Sequence, residues 1–123
     1  MLVLDKLLSD RGSRYAVTVA PAATRAQAQA VVAELCRKGK FRRATHHSWA
    51  LLTPTGEPIG DDDGEAGAWP ILRAELEAAG LHGHVVIVTR WFGGTHLGGD
   101  RFRHLRTAAR AGVEAWMGQD QAG

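Results

Sequence analysis

Residues 84–110, HVVIVTRWFGGTHLGGDRFRHLRTAAR, predict a strand, a glycine-rich turn and a helix in direct succession. The five residues 85–89 are β-branched and show no polar alternation, which is typical of a strand buried on both faces. Four glycines within residues 93–99 allow a sharp turn with uncovered backbone amides. From about Asp100, apolar residues recur at helical spacing. The stretch has the order of an anion site, and equally that of a tight connection in an α/β layer.

The predicted last helix carries three arginines, Arg103, Arg106 and Arg110, on a face of their own. We expect Asp100 to cap this helix and to repel an anion from the same amides. Phosphate contacts should therefore rely more on the arginines than on the turn. The candidate residues for contact with an anion or a partner are Arg90, Gly93, Gly94, Gly98, Gly99, Arg101, Arg103, Arg106 and Arg110.

Length and composition indicate one globular domain in a reducing compartment. The 123 residues suit a single domain, and a hydrophobic content of 45% suffices for one core. No stretch approaches the length of a membrane span, and residues 1–10 do not resemble a signal peptide. The single cysteine, Cys36, cannot form an internal disulfide and has no metal-ligand spacing around it. We therefore expect a cytoplasmic protein without a membrane segment, a metal or a cofactor.

Charge is segregated along the chain, although the formal net charge is only +2. One basic cluster spans residues 37–43 and a second lies in the last helix, whereas seven of the thirteen acidic residues lie within residues 57–77. Such segregation suits an anionic partner that binds one face, and it also occurs on solvated surfaces that have no partner.

The remaining sequence predicts alternating strands and helices within a single domain. Thr24 with Gln27 three residues later has the spacing of a capping box. The predicted elements, in chain order, are a strand over residues 15–19, a helix from Thr24, a strand over 45–52, an acidic loop over 57–67, a helix from Pro70 to Gly80, the strand over 85–89 and the last helix.

Two clusters are candidates for chemistry, the acidic loop and the adjacent pair His46 and His47. Residues 61–65 offer oxygen ligands for a hard divalent cation, but the acids are contiguous and lack the spacing of an EF-hand. His46 and His47 are neighbours on a predicted strand, so they point to opposite faces and do not readily bind one ion. Motifs for an activated nucleophile or a Walker phosphate loop are absent. We therefore predict neither a metal site nor a catalytic group.

Four motifs occur in order along the chain: THH at 45–47, DDGE at 62–65, AG at 66–67 ahead of PIL at 70–72, and VTRWFGG with LG at 88–98. Together they resemble the Impact family, whose bacterial members form the YigZ-type group. The resemblance implies a ribosomal protein S5 domain 2-like fold, an α+β two-layer sandwich with helices packed on a mixed sheet. It also implies that residues 1–123 are an N-terminal Impact domain without the ferredoxin-like C-terminal domain of many bacterial members.

The sequence departs from the family pattern at two points within these motifs. Members usually carry Pro-Ser-Gly-Thr between the Asp-Asp-Gly-Glu and Ala-Gly motifs, whereas Glu65 here joins the Ala-Gly motif directly. His104 takes the place of a family arginine, whose charge Arg101 or Arg103 could supply. The candidate site residues that the resemblance adds are Asp62, Asp63 and Glu65 of the acidic loop, with His46 and His47.

Two functions are compatible with these residues. Eukaryotic relatives act through protein contacts in the control of translation initiation. The resemblance therefore implies a non-enzymatic module linked to translation regulation, which binds RNA, the ribosome or a protein. The alternative is an enzyme for a phosphorylated or carboxylated small molecule at the glycine turn, with the acidic loop as base or metal ligand. We favour binding because no activated nucleophile or acid–base pair is identifiable.

One geometric prediction follows for either function. Arg90 ends a buried strand, and a charge in such a place needs a counter-charge. We expect a carboxylate from residues 61–65 to pair with Arg90. The acidic loop should then lie at the mouth of the turn, where ligands of open α/β sheets bind.

Overall fold

The computed structural model describes the backbone of residues 1–122 and the side chains of residues 1–119. Its elements, in chain order, are β1 (Leu2–Asp10), β2 (Ser13–Pro21), α1 (Arg25–Leu35), α2 (Gly39–Arg42), β3 (His46–Leu52), β4 (Pro58–Asp61), α3 (Ala68–Ala79), β5 (His84–Trp91) and α4 (Asp100–Ala122). The predicted order of strands and helices is confirmed, with β1, α2 and β4 as additions to it. None of the helices over residues 1–122 has the length and apolar character needed to cross a bilayer.

The strands form one sheet in the order β1-β2-β5-β3-β4. Each neighbouring pair is antiparallel, so the expectation of a mixed sheet is wrong, although the α+β class is confirmed. The difference arises because β2 and β3, which are parallel to one another, do not pair. β5 lies between them and runs in the opposite direction.

Helices cover both faces of the sheet, which gives three layers rather than the predicted two. On one face, α4 packs against β2 and α3 packs against β3, in a core cluster that includes Tyr15, Val17 and Leu72. On the other face, α1 and α2 pack against residues such as Trp49, with Leu35 as one of their contacts. Because side chains alternate along a strand, the inner strands need apolar residues on both faces. This double burial confirms the interpretation of the apolar run in β5.

The central strand β5 determines where the site lies. Arg90 stands one residue before its end, and the strand register places it opposite Tyr15 of β2 and opposite His46 of β3. The three residues form one row across the sheet, at the end of β5 from which the turn of residues 93–99 leaves. α4 begins at Asp100, where helical spacing begins in the sequence.

Local hydrogen bonds explain the start of α1. Thr24 Oγ1 accepts a hydrogen bond from Gln27 N at 3.1 Å, and Gln27 Oε1 accepts one from Ala23 N at 2.7 Å. This reciprocal arrangement of the capping-box type satisfies amides that the first turn of a helix leaves unpaired. The predicted role of Thr24 as the helix cap is therefore confirmed.

Candidate functional site

A buried ion pair joins the acidic loop to the end of β5. Arg90 Nη1 donates to Glu65 Oε1 at 2.8 Å and to Glu65 Oε2 at 3.2 Å, and the two residues are only 5% and 3% exposed. The contact confirms the predicted carboxylate partner of Arg90 and the position of the loop beside the turn. The attraction between the two charges and their hydrogen bonds offset the desolvation penalty that each pays on burial.

Ser13 and two aromatic rings hold the rest of the Arg90 guanidinium. Ser13 Oγ accepts from Arg90 Nη2 at 3.2 Å, from Arg90 Nε at 3.4 Å and from Gly93 N at 3.3 Å. The ring centroids of Tyr15 and Phe92 each lie 5.7 Å from Arg90 Cζ. Arg90 is thus fixed on several sides. Ser13 was not selected from the sequence, because it lies two residues before the strand predicted over residues 15–19.

His46 bridges two parts of the acidic loop. Its Nε2 lies 3.1 Å from Glu65 Oε2, and its Nδ1 lies 2.9 Å from the carbonyl oxygen of Asp63. The ring thus lies between a carboxylate oxygen and a carbonyl oxygen. His46 therefore joins Glu65 and Arg90 in one polar cluster.

The other two predicted members of the acidic site point elsewhere. Asp62 Oδ1 accepts from Trp69 N at 2.8 Å and Asp62 Oδ2 from Gly67 N at 3.0 Å, which fastens the loop to the start of α3. Asp63 Oδ2 accepts from the backbone of His47 at 2.7 Å. The three acids do not converge on one point, because Asp62 binds amides at the start of α3 and Asp63 binds an amide of β3.

His47 lies on the opposite face of β3 from His46, as the alternation predicts. Its Nε2 lies 2.8 Å from the carbonyl oxygen of Phe41, and its Nδ1 lies 2.9 Å from Thr89 Oγ1. Burial lowers the pKa of His47 below its ordinary value. Cys36 Sγ lies 3.4 Å from His47 Nε2, but burial raises the pKa of the Cys36 thiol, so the pair is not an activated nucleophile.

A cavity of about 440 Å³ opens beside the polar cluster. Phe92 is 41% exposed at its wall, and its ring centroid lies 5.2 Å from that of His96. Arg101 Nη1 donates to the carbonyl oxygen of Ala66 at 2.9 Å and lies 3.9 Å from Glu65 Oε1. The lining residues are Thr45, His46, Gly64, Glu65, Ala66, Arg90, Phe92, His96 and Arg101. The cavity therefore combines exposed aromatic rings with an excess of positive charge.

Close backbone approach and positive φ angles require glycine at several positions of the glycine turn. A Cβ atom at Gly93 would overlap the backbone of Gly12, whereas one at Gly99 would meet open space. Gly94 and Gly98 have φ values of 91° and 57°, which side chains disfavour. The first amides of α4 donate to carbonyl oxygens of the turn, over 3.2 to 3.4 Å. The first amides of α4 are therefore engaged within the chain.

The predicted arginine set divides into two groups. At about 100° per residue in a helix, Arg101 lies roughly opposite Arg103, Arg106 and Arg110. The latter three are exposed and face away from the cavity residue Arg101. Two of them meet carboxylates: Arg110 contacts Glu75 through two hydrogen bonds, and Arg103 Nη2 lies 3.5 Å from Asp100.

Asp100 pairs with arginines at the start of α4. Its Oδ2 accepts from Arg11 Nη2 at 2.6 Å, and its Oδ1 faces Arg103. Its negative charge lies in the first turn, where the helix dipole favours it. An anion would meet this carboxylate before it met the helix end.

The basic cluster at residues 37–43 keeps more uncompensated charge than α4. Arg37 pairs with Glu34 and Lys40 with Asp5. The remaining cations, Lys38, Arg42 and Arg43, are exposed, and no carboxylate among the described side chains lies within ion-pair distance of them. Guanidinium nitrogens of both Arg42 and Arg43 approach Gly39.

No group of three or more histidine, cysteine, aspartate or glutamate side chains could hold a metal ion in the part of the chain whose side chains are described. The acidic loop illustrates why. Its carboxylates point in different directions: Glu65 contacts Arg90, Asp62 the start of α3, and Asp63 the backbone of β3.

Comparison with known sequences decides the family. The sequence model described as the Impact N-terminal domain matches residues 11–113, a range that includes Ser13, Glu65, Arg90 and the whole cavity. The chain belongs to the Impact N-terminal domain family. The resemblance drawn from the four motifs is thereby confirmed.

The Impact domain is similar to named eukaryotic proteins. It is 32% identical over 111 residues to the Protein IMPACT homolog of Saccharomyces cerevisiae. The matched residues make up 86% of this chain and 43% of that protein. It is 34% identical over 108 residues to Protein IMPACT of Mus musculus, with 84% of this chain and 34% of that protein matched. The chain thus spans less than half the length of these relatives.

Two solved structures resemble the Impact domain. A crystal structure of a hypothetical protein superposes with a TM-score of 0.74 at 24% identity, over 95% of this chain and 57% of the other chain. At this identity the similarity supports the fold alone. The structure of the two-domain translational regulator Yih1 has a TM-score of 0.52 at 33% identity, covering 86% of this chain and 43% of its own.

The departures from the family pattern leave the buried pair of this Impact domain in place. Glu65 reaches Arg90 although the residues that usually follow it are absent. His104 does not enter the cavity: its Nε2 lies 2.7 Å from Asp10 Oδ2, and its ring packs 5.4 Å from that of Tyr15. Arg101 is instead the arginine of α4 that lines the cavity.

Proposed function

We propose that this Impact domain is a non-enzymatic binding module of translation regulation that contacts RNA. The basic cluster of residues 37–43 would meet the phosphates, and the cavity would begin at Thr45, two residues after the cluster ends. A translation role is supported by the similarity to Yih1, which is described as a translational regulator. Because the chain covers 43% of Yih1, the proposal concerns one contact and not the regulation as a whole.

The observation that carries the proposal is the set of uncompensated cations Lys38, Arg42 and Arg43. Phosphate binding gains free energy by releasing counterions, and a cation already paired with a carboxylate contributes less to it. On α4, by contrast, Arg103 and Arg110 contact acids that would repel a phosphate. The charge distribution therefore favours residues 37–43 over the arginine face of α4.

The basic cluster is also close to the cavity. Arg43 is two residues before Thr45, which lines the cavity, so their Cα atoms are separated by at most about 7 Å. Thr45 Oγ1 accepts from Phe92 N at 2.9 Å, which joins this segment to the aromatic wall. Because α2 and the cavity lie on opposite faces of the sheet, an RNA strand on the basic cluster would reach the cavity by passing round the end of β3 at Thr45.

The enzyme alternative has less support from these contacts. Glu65, the carboxylate of the cavity, is engaged by Arg90 and His46 and is not poised to remove a proton. Cys36 is a poor nucleophile because burial raises its thiol pKa.

A matched pair of triple variants tests the RNA proposal. Fluorescence anisotropy would measure the affinity for a single-stranded RNA oligomer between low and physiological salt. We expect Lys38→Gln/Arg42→Gln/Arg43→Gln to weaken binding and to flatten the slope of log K against log salt by about 2, because three phosphate contacts are lost.

The control triple, Arg103→Gln/Arg106→Gln/Arg110→Gln, removes the same charge from the surface selected by sequence. We expect it to weaken binding less, while thermal melting verifies that both variants fold. A larger effect of the control triple would assign the contact to α4. Absence of RNA binding by the parent protein at low salt would overturn the proposal and make a protein partner the leading interpretation.

A further inference from the structure

We infer that the cavity beside Phe92 accepts a single unpaired nucleotide, with its base against the Phe92 and His96 rings and its phosphate near Arg101. The inference rests on the proposed RNA contact and specifies which part of the RNA enters the protein. Four properties of the cavity lead to it: its size, its aromatic wall, the arrangement of its charges and its position next to the basic cluster.

The size of the cavity suits one small ligand group. Pockets for small molecules typically enclose about 300 to 1,000 Å³, and this cavity has about 440 Å³. A base within a duplex presents only its edge, so it cannot place a ring against the wall of such a cavity. An unpaired base can turn out of its strand and present a full face.

The aromatic wall is exposed although other aromatic residues are buried. Trp49 and Trp91 belong to the core, whereas Phe92 is one of three large apolar side chains that are exposed among the described residues. The other two, Met1 and Met117, do not line this cavity. An exposed ring beside cationic groups is the platform on which single-stranded nucleic acids stack their bases.

The charges of the cavity leave Arg101 as its accessible cation. Arg90 is buried and already donates hydrogen bonds to Glu65 and Ser13, whereas the Arg101 side chain is 26% exposed. The Glu65 carboxylate is 3% exposed, and its oxygens already face Arg90 and His46. A phosphate at Arg101 would therefore meet a positive group and little of the buried negative charge.

The position of the cavity makes this binding compatible with the phosphate track. Thr45 and Phe92 line the cavity and are hydrogen-bonded to each other, and the basic cluster ends two residues before Thr45. Residues 39–42 pack on the opposite face of the sheet from Arg90 and His46, so an RNA strand that binds both must pass round the end of β3 beside Thr45.

The test compares two strands of equal length and charge, a single-stranded RNA oligomer and its abasic analogue. The parent protein should bind the base-bearing strand at least about fivefold more tightly, because base stacking adds to the phosphate contacts. Phe92→Leu keeps apolar volume and removes the ring, so this variant should bind the base-bearing strand no more tightly than the abasic strand. Met117→Leu, an exposed apolar site outside the cavity, is the control and should retain the preference.

The outcomes separate the nucleotide site from the RNA contact. Equal affinity for the two strands, or a preference that survives Phe92→Leu, would overturn the nucleotide site and leave the RNA proposal standing. Absence of binding to either strand would overturn both. If Phe92→Leu unfolds below the temperature of the binding assay, His96→Leu on the exposed turn serves as the second variant. The same loss of preference is expected.

Discussion

The side chains of Glu65 and Arg90 meet at 2.8 Å in the interior, although 25 residues separate them in the chain. The contact joins the loop between β4 and α3 to the C-terminal end of the central strand β5. Each partner has further contacts, Glu65 with His46 and Arg90 with Ser13. The pair thereby forms the floor of the cavity and fixes the loop that lines it.

Breaking this pair should destabilise the domain strongly. Arg90→Met leaves the Glu65 carboxylate buried without its main counter-charge, a change that typically costs about 3–5 kcal/mol. Denaturant unfolding at neutral pH would measure the free energy of unfolding.

The exposed pair Arg73–Glu77 offers the matched control for that substitution. Its side chains are 41% and 44% exposed, so Arg73→Met should change the free energy of unfolding by no more than about 1 kcal/mol. Similar small losses in both variants would contradict the buried role of Arg90. The double variant Arg90→Met/Glu65→Leu should recover part of the loss, because it leaves no buried charge.

Gly93 and Gly99 should respond differently to the same substitution. Gly93→Ala places a methyl group against the backbone of Gly12, and backbone cannot rotate aside as a side chain can. We expect a loss of about 1–3 kcal/mol, as for other overpacked sites. Gly99→Ala meets open space and should change stability little. Thermal melting of the two variants measures the difference, and equal melting temperatures would show that the turn can shift away from β2.

The parts of the fold that sequence predicted are those with local causes. The run of β-branched residues defined β5, and the Thr24 capping signal defined the start of α1. Strand direction has no such local signal. Periodicity predicts that a strand is buried on both faces, but β5 could have joined its neighbours in either direction.

The missed strands show a second limit of local reasoning. β1 was overlooked because Asp5 and Lys6 interrupt its apolar residues at the position where the strand bulges. β4 has only four residues, and its sequence, with Pro58 and Gly60, is typical of a loop. Both are edge strands, in which pairing is decided by the neighbouring strand rather than by their own pattern.

The site was predicted in part for an energetic reason. A buried charge needs a partner, which identified the acidic loop as the counterpart of Arg90. Which acid would reach it depended on the loop conformation. Asp62 was a candidate for the same contact, but it accepts hydrogen bonds from two amides at the start of α3 instead.

Asp62 should therefore behave as a structural residue. Asp62→Ala removes both acceptors at the N-terminal end of α3 and should cost about 1 kcal/mol, a typical value for a lost cap. Glu57→Ala, an exposed acid for which no side-chain hydrogen bond is found among the described residues, should be nearly neutral. RNA affinity should remain unchanged in Asp62→Ala. A stability equal to the parent with altered RNA affinity would reverse this assignment and return Asp62 to the binding site.

His47 should make the stability of the domain depend on pH in the mildly acidic range. Burial lowers the pKa of His47 in the folded state from its ordinary value of 6.5. Below about pH 6.5 the unfolded chain therefore binds a proton at this residue that the folded chain does not. Stability should fall as the pH decreases from 7 towards 5, because protons then favour the unfolded state.

The variant His47→Gln isolates this contribution. A glutamine amide can donate to the carbonyl oxygen of Phe41 and accept from Thr89, the two contacts of the imidazole, but it does not titrate. Denaturant unfolding at several pH values should show a smaller loss of stability between pH 7 and 5 in the variant. Between pH 7 and 8, where His47 is neutral in both states, the two proteins should change in parallel. A parallel course over the whole range would mean that His47 accepts its proton as readily in the folded as in the unfolded chain.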